Sequence, residues 1–294
     1  MVDSHERGPY TIMLGITQDA GYPQAGTKSS PAWEHYDQRR LAACLALVDP
    51  RNGRRWLFDA TPDFKEQLHR LDVAAPDERV PGLDAIFLTH AHIGHYTGLI
   101  HLGREAIGTR NLPLYAMPRM AQFLRRNGPW EQLVTLRNVA ITPLQNRAPI
   151  LLGEDLSVMP FTVPHRDEYS ETVGFRIAGP GHSLLYLPDI NGWEAWDAWG
   201  TRIEDVLATV DVAYLDGSFL NADELPGRDL AEIPHPLISA SITRFASLPD
   251  RERGKIRFVH LNQSNPLLHE DAAAHAMLRK SGFGVAHEGE IVPL

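Results

Sequence analysis

The sequence predicts an α+β fold in which two packed β-sheets are covered by helices. Short apolar and β-branched runs, typical of buried strands, occur in both halves of the 294-residue chain, and helical patterns separate them in groups rather than in strict alternation. Apolar residues make up 43% and charged residues 22% of the chain, as in globular proteins with a sizeable core. We therefore expect a single domain over residues 1–294 with an internal pseudo-repeat.

Each element follows from its local pattern. The predicted strands, which are short apolar or β-branched runs, are 10–16, 42–48, 55–58, 85–89, 112–116, 139–142, 156–163, 173–177, 183–187, 212–215 and 256–261. The predicted helices, which have apolar residues at helical spacing, are 62–71, 95–106, 118–126, 193–199, 203–209, 236–247 and 270–281. The segment 17–40 is the longest predicted loop, and long loops inside compact domains are usually functional or mobile.

Composition excludes several functional classes. No segment has the uninterrupted apolar run of a membrane span, and the first ten residues lack the apolar stretch of a secretory signal, which favours a cytoplasmic protein. The single cysteine, Cys44, excludes an internal disulfide and a cysteine-rich zinc site. Because one cysteine cannot form such a site, any metal must be held by histidines and carboxylates. A formal net charge of −9 weighs against a nucleic-acid-binding surface.

A histidine motif directly follows one predicted strand. Residues 90–95 read His-Ala-His-Ile-Gly-His. In an extended segment, residues two apart point the same way, so His90 and His92 can converge on one ion. His95, at the entrance of the next helix, can face a second position beside it. The alternative is a solvated histidine-rich turn, but the end of a strand favours a metal site.

Three further strand ends carry side chains that can bind a metal. His165, Asp189 and His260 each follow an apolar run. Taken singly, each is equally consistent with a hydrogen-bonded turn residue. Together they supply the imidazoles and the carboxylate that a metal site requires.

The order of these residues resembles the pattern of the metallo-β-lactamase fold superfamily. That pattern is an Asp at a strand end, then His-x-His-x-Asp-His, a lone His, an Asp and a final His. The matching positions, over most of the chain, are Asp59, His90, His92, Gly94, His95, His165, Asp189 and His260. Residues 15–24 (GITQDAGYPQ), 58–64 (FDATPDF) and 260–266 (HLNQSNP) are similar to the pyrroloquinoline-quinone biosynthesis B branch. The resemblance implies an αββα sandwich with the metal cleft along one edge of the sheets.

The resemblance also implies a set of ligands. His90, His92 and His165 would hold a first metal, His95 and His260 a second, and Asp189 would bridge them. Zinc is the expected cofactor, with iron or manganese as alternatives. Gly94 departs from the pattern, because the superfamily usually has the second metal's aspartate there. We therefore expect one firmly bound ion and a second that is weak or absent. The branch's cysteines are also missing near Thr27, so no structural zinc is expected there.

Two other aspartates have expected supporting roles. Asp59, at a strand end, is expected to accept backbone N–H groups and brace the metal loop rather than bind the metal. Asp216 lies where phosphodiesterase-like branches carry an acidic residue. It is expected to orient a ligand histidine or to supply a proton to the leaving group, and a plain Asp-Gly turn is the alternative. The catalytic candidates are thus Asp189, Asp216 and His260.

Aromatic and acidic residues near these positions have simpler interpretations. Trp193, Trp196 and Trp199 follow Asn191, a candidate helix N-cap, and core packing is favoured over a position lining the cleft. The acidic residues after His165 and the remaining histidines, His5, His69, His182 and His287 among them, are interpreted as solvated surface groups.

The sequence supports three functional hypotheses. The first is a metal-dependent hydrolase that uses a metal-activated water on an ester, a phosphodiester or a related bond of a small-molecule substrate. The second is an iron-dependent oxygenase, as the resemblance to the cofactor-biosynthesis branch suggests. The third is a non-catalytic binding protein with a degraded second site, because of Gly94. A polynucleotide or membrane partner is not expected, and a homodimer stays open.

Overall fold

The computed structural model describes residues 8–227, 234–269 and 271–294. The strands are β1 (Tyr10–Gly15), β2 (Cys44–Asp49), β3 (Arg54–Phe58), β4 (Ala85–Phe87), β5 (Leu112–Ala116), β6 (Val139–Pro143), β7 (Ile150–Leu151), β8 (Ser157–Val163), β9 (Thr172–Ala178), β10 (Ser183–Leu187), β11 (Val212–Asp216), β12 (Ile256–Val259), β13 (Gly284–Val285) and β14 (Ile291–Pro293). The two sheets have the orders β14-β1-β2-β3-β4-β5-β6 and β13-β12-β11-β10-β9-β8-β7.

Helices connect these strands. The α-helices are α1 (Phe64–Ala74), α2 (Ile93–Tyr96), α3 (Pro118–Arg126), α4 (Trp130–Thr135), α5 (Trp193–Ala198), α6 (Ile203–Leu207), α7 (Ile238–Phe245), α8 (Asp250–Arg253) and α9 (Ala272–Lys280). Short 3-10 helices occupy Pro31–Trp33, Tyr36–Gln38, Thr97–Leu102 and Ala222–Glu224. In the part of the chain that the structure describes, no helix has the length and apolarity needed to cross a bilayer.

Alternating side chains bury both faces of the first sheet. In β2, Leu45 and Leu47 pack into the core between the sheets, whereas Ala46 and Val48 point into a second core on the opposite face. That second core also contains residues of α1, α3 and α4. The alternation follows from the period of two in a strand, and a strand buried on both faces reads as a continuous apolar run.

Aromatic rings join the two sheets face to face. The ring centre of Phe58, in β3, lies 5.3 Å from that of Phe175, in β9, and Phe87 of β4 lies 5.8 Å from the same ring. On the second sheet, Trp193 of α5 packs 5.6 Å from Phe245 of α7. The result is the expected αββα sandwich, with two sheets between two helical layers.

The two sheets have the same sequence of pairings, as expected for a pseudo-repeat. Along β14-β1-β2-β3 and along β7-β8-β9-β10, neighbouring strands are antiparallel. Along β3-β4-β5-β6 and along β10-β11-β12-β13, they are parallel. Each half therefore has a parallel edge whose strand ends can carry functional side chains.

Most elements agree with the sequence, and the differences have simple causes. All the predicted strands are present within two residues of their expected bounds. The strands β7, β13 and β14 and the helix α8 were not predicted, because they are too short for a periodic signal, and the helix α4 was also not predicted. The helix predicted over 95–106 is instead α2 followed by a 3-10 helix. His5 and Glu270, the first residue of the helix predicted over 270–281, lie outside the described residues.

Candidate metal centre

Loops at the carboxyl ends of strands from both sheets meet at one cluster of side chains. His90 follows β4 of the first sheet, and Asp189 and His260 follow β10 and β12 of the second. His165 follows β8 and reaches the same cluster. The structure therefore brings together all six residues predicted as metal ligands: His90, His92, His95, His165, Asp189 and His260.

The first group consists of three histidines. The candidate ligand atoms of His90, His92 and His165 lie within 4.8 Å of one another. His90 and His165 are buried, whereas the His92 side chain keeps 15% of its surface exposed. Three imidazoles with one open side form the usual arrangement of a catalytic metal, which keeps a position for water or substrate.

The second group lies beside the first and shares Asp189 with it. His95 Nε2 and His260 Nε2 lie 3.1 Å and 3.3 Å from Asp189 Oδ2. The other oxygen of this carboxylate, Oδ1, lies 3.6 Å from His165 Nε2 in the first group. Asp189 thus lies between the two groups, where the resemblance places a bridging ligand.

A carboxylate from the predicted loop 17–40 fills the space beside Gly94. A Cβ atom at position 94 would lie 2.1 Å from Asp19 Oδ1 and 2.4 Å from Asp19 Cα. Asp19 Oδ1 lies 3.3 Å from His95 Nε2. The sequence predicts that Gly94 removes one carboxylate from the second group, and the structure places the Asp19 carboxylate in that space. Sequence reasoning missed Asp19, because its distance along the chain from the histidine motif hides the contact.

Two hydrogen-bonded residues set the direction of the ligand imidazoles. His95 Nδ1 lies 2.7 Å from Asp59 Oδ2, and the Asp59 carboxylate also accepts the N–H of Thr89 at 2.8 Å. His260 Nδ1 lies 3.1 Å from Ser218 Oγ. In both histidines Nε2 is left to point into the cluster, as in metal sites where an outer carboxylate or hydroxyl fixes the tautomer. Asp59 thus braces the loop as the sequence predicts.

Asp59 and His260 also have unusual backbone conformations. Their φ angles are 70° and 65°, in the left-handed region that residues other than glycine rarely adopt. Such a conformation costs on the order of 1 kcal/mol and persists where the surrounding structure requires it. Here it turns the chain sharply after β3 and β12, so that both side chains enter the site.

A further histidine, His235, lies at the site and was not predicted. Its Nδ1 lies 2.7 Å from Asp216 Oδ2 and 3.8 Å from Asp189 Oδ1. Asp216 is fully buried and also accepts the N–H groups of Ile190 and Ser218. Asp216 therefore forms the local turn and also orients a histidine. The sequence signal, Pro-His-Pro at 234–236, has no metal-ligand spacing.

The electrostatics of the cluster favour a bound cation. Burial lowers the pKa of His165 to about 4, and burial with the neighbouring His95 lowers the pKa of His90, so both are neutral and available as ligands at pH 7. Burial opposes charge on His95, but the carboxylates of Asp59 and Asp189 outweigh it and raise its pKa. The two carboxylates therefore attract a proton to His95 where no metal balances their charge.

Buried nitrogen atoms show that these residues fit a metal ion. Among the described residues, the Nε2 atoms of His90, His95, His165 and His260 are buried without a hydrogen-bond partner, as is Asp189 Oδ2. Each buried unpaired polar atom costs about 1–3 kcal/mol, and cations coordinated at the two groups would satisfy these atoms.

The other predicted positions lie outside this cluster. Trp193 and Trp196 are buried in the core, and Trp196 stacks on Phe161 at 5.6 Å. Trp199 is exposed and lines a surface groove of about 340 Å³ that also contacts His165. Asn191 is not the N-cap of α5, because Gly192 has that position. In the acidic segment after His165, Asp167 pairs with Arg119, and Glu168 lies 3.5 Å from His92 Nε2.

Two comparisons with known sequences point to the same family. The model of the beta-lactamase superfamily domain matches residues 54–279. The chain is 27% identical to coenzyme PQQ synthesis protein B of Xanthomonas oryzae pv. oryzae over 305 aligned positions, which cover 95% of this chain and 97% of that protein.

Solved structures agree with this family. Zn(2+)-bound PqqB from Methylobacterium extorquens superposes with a TM-score of 0.78 at 25% identity, covering 97% of this chain and 100% of that one. A diphosphatase from the PhnP family superposes with a TM-score of 0.68 at 22% identity, covering 97% of each chain. The second likeness shows the fold alone.

Proposed function

Because this chain belongs to the β-lactamase superfamily, and within it resembles the coenzyme PQQ synthesis protein B branch, we propose that it is a metal-dependent hydrolase of a small phosphodiester or related ester. The observation that carries the proposal is the pair of Asp216 and His235 beside the metal-ligand cluster, with 2.7 Å between the two side chains. A metal site alone would serve many reactions. A buried imidazole paired with a carboxylate adds a proton donor, which hydrolysis of an unactivated ester needs.

The residues divide the chemistry between them. His90, His92 and His165 would hold one divalent ion, and His95, His260 and Asp189 the position beside it. When bound, zinc lowers the pKa of a coordinated water from about 15.7 towards 7 and polarises the phosphoryl oxygen. The Zn(2+)-bound state of the PqqB structure supports zinc as the occupant.

His235 is the proposed proton donor. Burial opposes its charged form, but the charge and hydrogen bond of Asp216 outweigh burial and raise the pKa of His235. Water forms the new bond to phosphorus, the bond to the leaving alkoxide breaks, and the alkoxide takes a proton from His235 Nε2. The proton that the water loses returns His235 to its charged form, so that charge and atoms balance.

The net charge of −9 restricts the substrate. A protein that tracks a polynucleotide backbone needs a basic surface, so we propose a small molecule with one phosphodiester or ester bond rather than RNA or DNA.

The test compares leaving groups. His235→Gln should lower hydrolysis of an alkyl phosphodiester by about 10²–10⁴-fold, because the alkoxide needs a proton. It should lower hydrolysis of the matching p-nitrophenyl diester much less, because that anion leaves unprotonated. His69→Gln, an exposed histidine in α1, is the matched control. An equal loss on both substrates would contradict the role of His235. If the natural protein hydrolysed neither diester, the proposal of a hydrolase would be contradicted.

An iron-dependent oxygenase is the second candidate, and the likeness to coenzyme PQQ synthesis protein B over 95% of the chain favours it. Histidine and carboxylate ligands with an open position suit non-haem iron as well as zinc. The metal content of the purified protein and oxygen uptake by the Fe(II)-loaded protein separate the two candidates. Oxygen consumption without ester hydrolysis would favour the oxygenase, and ligand binding without either activity would favour a binding protein.

A further inference from the structure

The loop after β1 is anchored to the segment that carries His260. The N–H of Gln18 donates to the carbonyl of Leu261 at 2.9 Å, and the N–H of Leu261 donates to the carbonyl of Ile16 at 2.9 Å. The side chain of Gln18 also accepts a hydrogen bond from Asn262. Asp19, the next residue, is therefore held beside His260 by contacts with Leu261 and Asn262, the two residues that follow that histidine.

Asp19 and Gly94 share one space. Because the Cβ of any residue at 94 would overlap the carboxylate and the backbone of Asp19, the site has room for a side chain from only one of the two positions. The absence of a side chain at 94 is thus what allows the loop to approach the helix entrance at His95.

The Asp19 carboxylate directs its buried Oδ1 atom towards the second group. Among the described residues, Asp19 Oδ1 is buried and lacks a hydrogen-bond partner. It lies 3.3 Å from His95 Nε2 and 4.0 Å from His260 Nε2, and both of these buried nitrogens also lack hydrogen-bond partners. A carboxylate oxygen and two imidazole nitrogens that lack partners and converge on one point would all be satisfied by a bound cation.

We propose that Asp19 is a ligand of the second metal position and supplies, from a different segment of the chain, the carboxylate that Gly94 cannot. The second position then has two imidazoles, His95 and His260, and two carboxylates, Asp19 and the shared Asp189. This is a complete donor set for a divalent ion such as Zn²⁺. The inference rests on the proposed metal-dependent function, and it predicts two equivalents of metal rather than one.

The test is a Zn²⁺ titration of the metal-free full chain. Calorimetry measures the affinity of each equivalent, and elemental analysis measures the metal content. The natural protein should bind two equivalents. Asp19→Asn should bind the second at least about 100-fold more weakly, because even outer partners of metal ligands change affinity by about 10–100-fold. Asp37→Asn, which removes the same charge from an exposed position of the same loop, should bind two equivalents. A single equivalent in the natural protein, or two unchanged equivalents in Asp19→Asn, would overturn the proposal.

A second variant tests the contact between Asp19 and position 94 by changing Gly94 instead of Asp19. Gly94→Ala keeps every proposed ligand but places a methyl group where Asp19 lies, so it should also weaken the second equivalent and leave the first unchanged. Unchanged binding of both ions would overturn the proposal. Metal titration needs no substrate, so two equivalents without turnover of any ester would contradict the hydrolase and leave the role of Asp19 standing.

Discussion

Asp59 controls the imidazole of His95 through one short hydrogen bond. Its carboxylate is fully buried and accepts hydrogen bonds from His95 and from the N–H and hydroxyl of Thr89. A carboxylate in this position fixes which nitrogen of the imidazole carries the proton and leaves the other free for a metal. The residue would therefore orient a ligand of a bound metal without itself being a ligand.

Asp59→Asn tests this role with little change of shape. Asparagine tolerates the left-handed backbone that Asp59 adopts, so the turn after β3 should persist. The loss of charge should lower Zn²⁺ affinity by about 10–100-fold, measured by competition with a chelator. Asp211→Asn, in which the changed carboxylate accepts the N–H of Ser183, should bind Zn²⁺ as the natural protein does. Equal affinities in all three proteins would show that Asp59 does not tune the site.

For single residues, the sequence predicts candidate ligands that form a local pattern and gives no signal for those that do not. His90, His92 and His95 lie within six residues, so their spacing alone predicts convergence. Asp19 and His235 reach the same site only through the fold, and neither has a neighbour in sequence that indicates metal binding. The interpretation of Gly94 as a missing ligand uses one segment alone, whereas the fold brings the Asp19 carboxylate beside Gly94 from another segment.

Among the elements, one arginine connects three helices on the second sheet. Arg244 of α7 pairs with Asp197 of α5 at 2.9 Å and with Glu204 of α6 at 2.7 Å. Its guanidinium contacts both carboxylates with two nitrogens each, the geometry in which surface ion pairs contribute measurably. Because α5 begins four residues after Asp189, this connection holds in place the helix that follows the Asp189 loop.

Replacing Arg244 should weaken the fold in a pH-dependent way. The hydrogen bonds of Arg244 lower the pKa of Asp197, and they lower that of Glu204 against the effect of burial. The stabilisation is therefore present above the unfolded-state pKa values of about 4 and is lost as the pH falls through the lower folded values. Arg244→Met should lower the free energy of unfolding by about 1 kcal/mol at pH 7. The difference should shrink below pH 4 in urea titrations, whereas Arg251→Met, at an exposed arginine, should show none. A pH-independent difference would assign the loss to packing instead.

Element prediction succeeded where an element crosses the core and failed at the edges. The central strands β2, β3 and β10 are continuous apolar runs because both of their faces are buried. The strands β7, β13 and β14 are two or three residues long and pair only at sheet margins, so local sequence has too few positions to show a period.

In the molecule as a whole, the candidate metal centre connects the two halves of the pseudo-repeat. His90, His92 and His95 follow a strand of the first sheet, whereas Asp189 and His260 follow strands of the second. A metal ion held by residues from both sheets acts as a cross-link between them. Such an ion binds the folded chain and not the unfolded one, so binding adds directly to stability.

Chelation should therefore lower the stability of the whole domain in one step. At a free Zn²⁺ concentration 100 times the dissociation constant, one bound ion adds about 2.7 kcal/mol to the free energy of unfolding. Calorimetry with Zn²⁺ and with EDTA should show a single transition that moves to lower temperature on chelation, because both sheets share one core between them. Asp37→Asn should show the same shift as the natural protein, since that carboxylate is exposed and belongs to none of the candidate metal-ligand groups. Two transitions, only one of them sensitive to EDTA, would show that the sheets unfold separately, and the prediction of one domain over residues 1–294 would then be wrong.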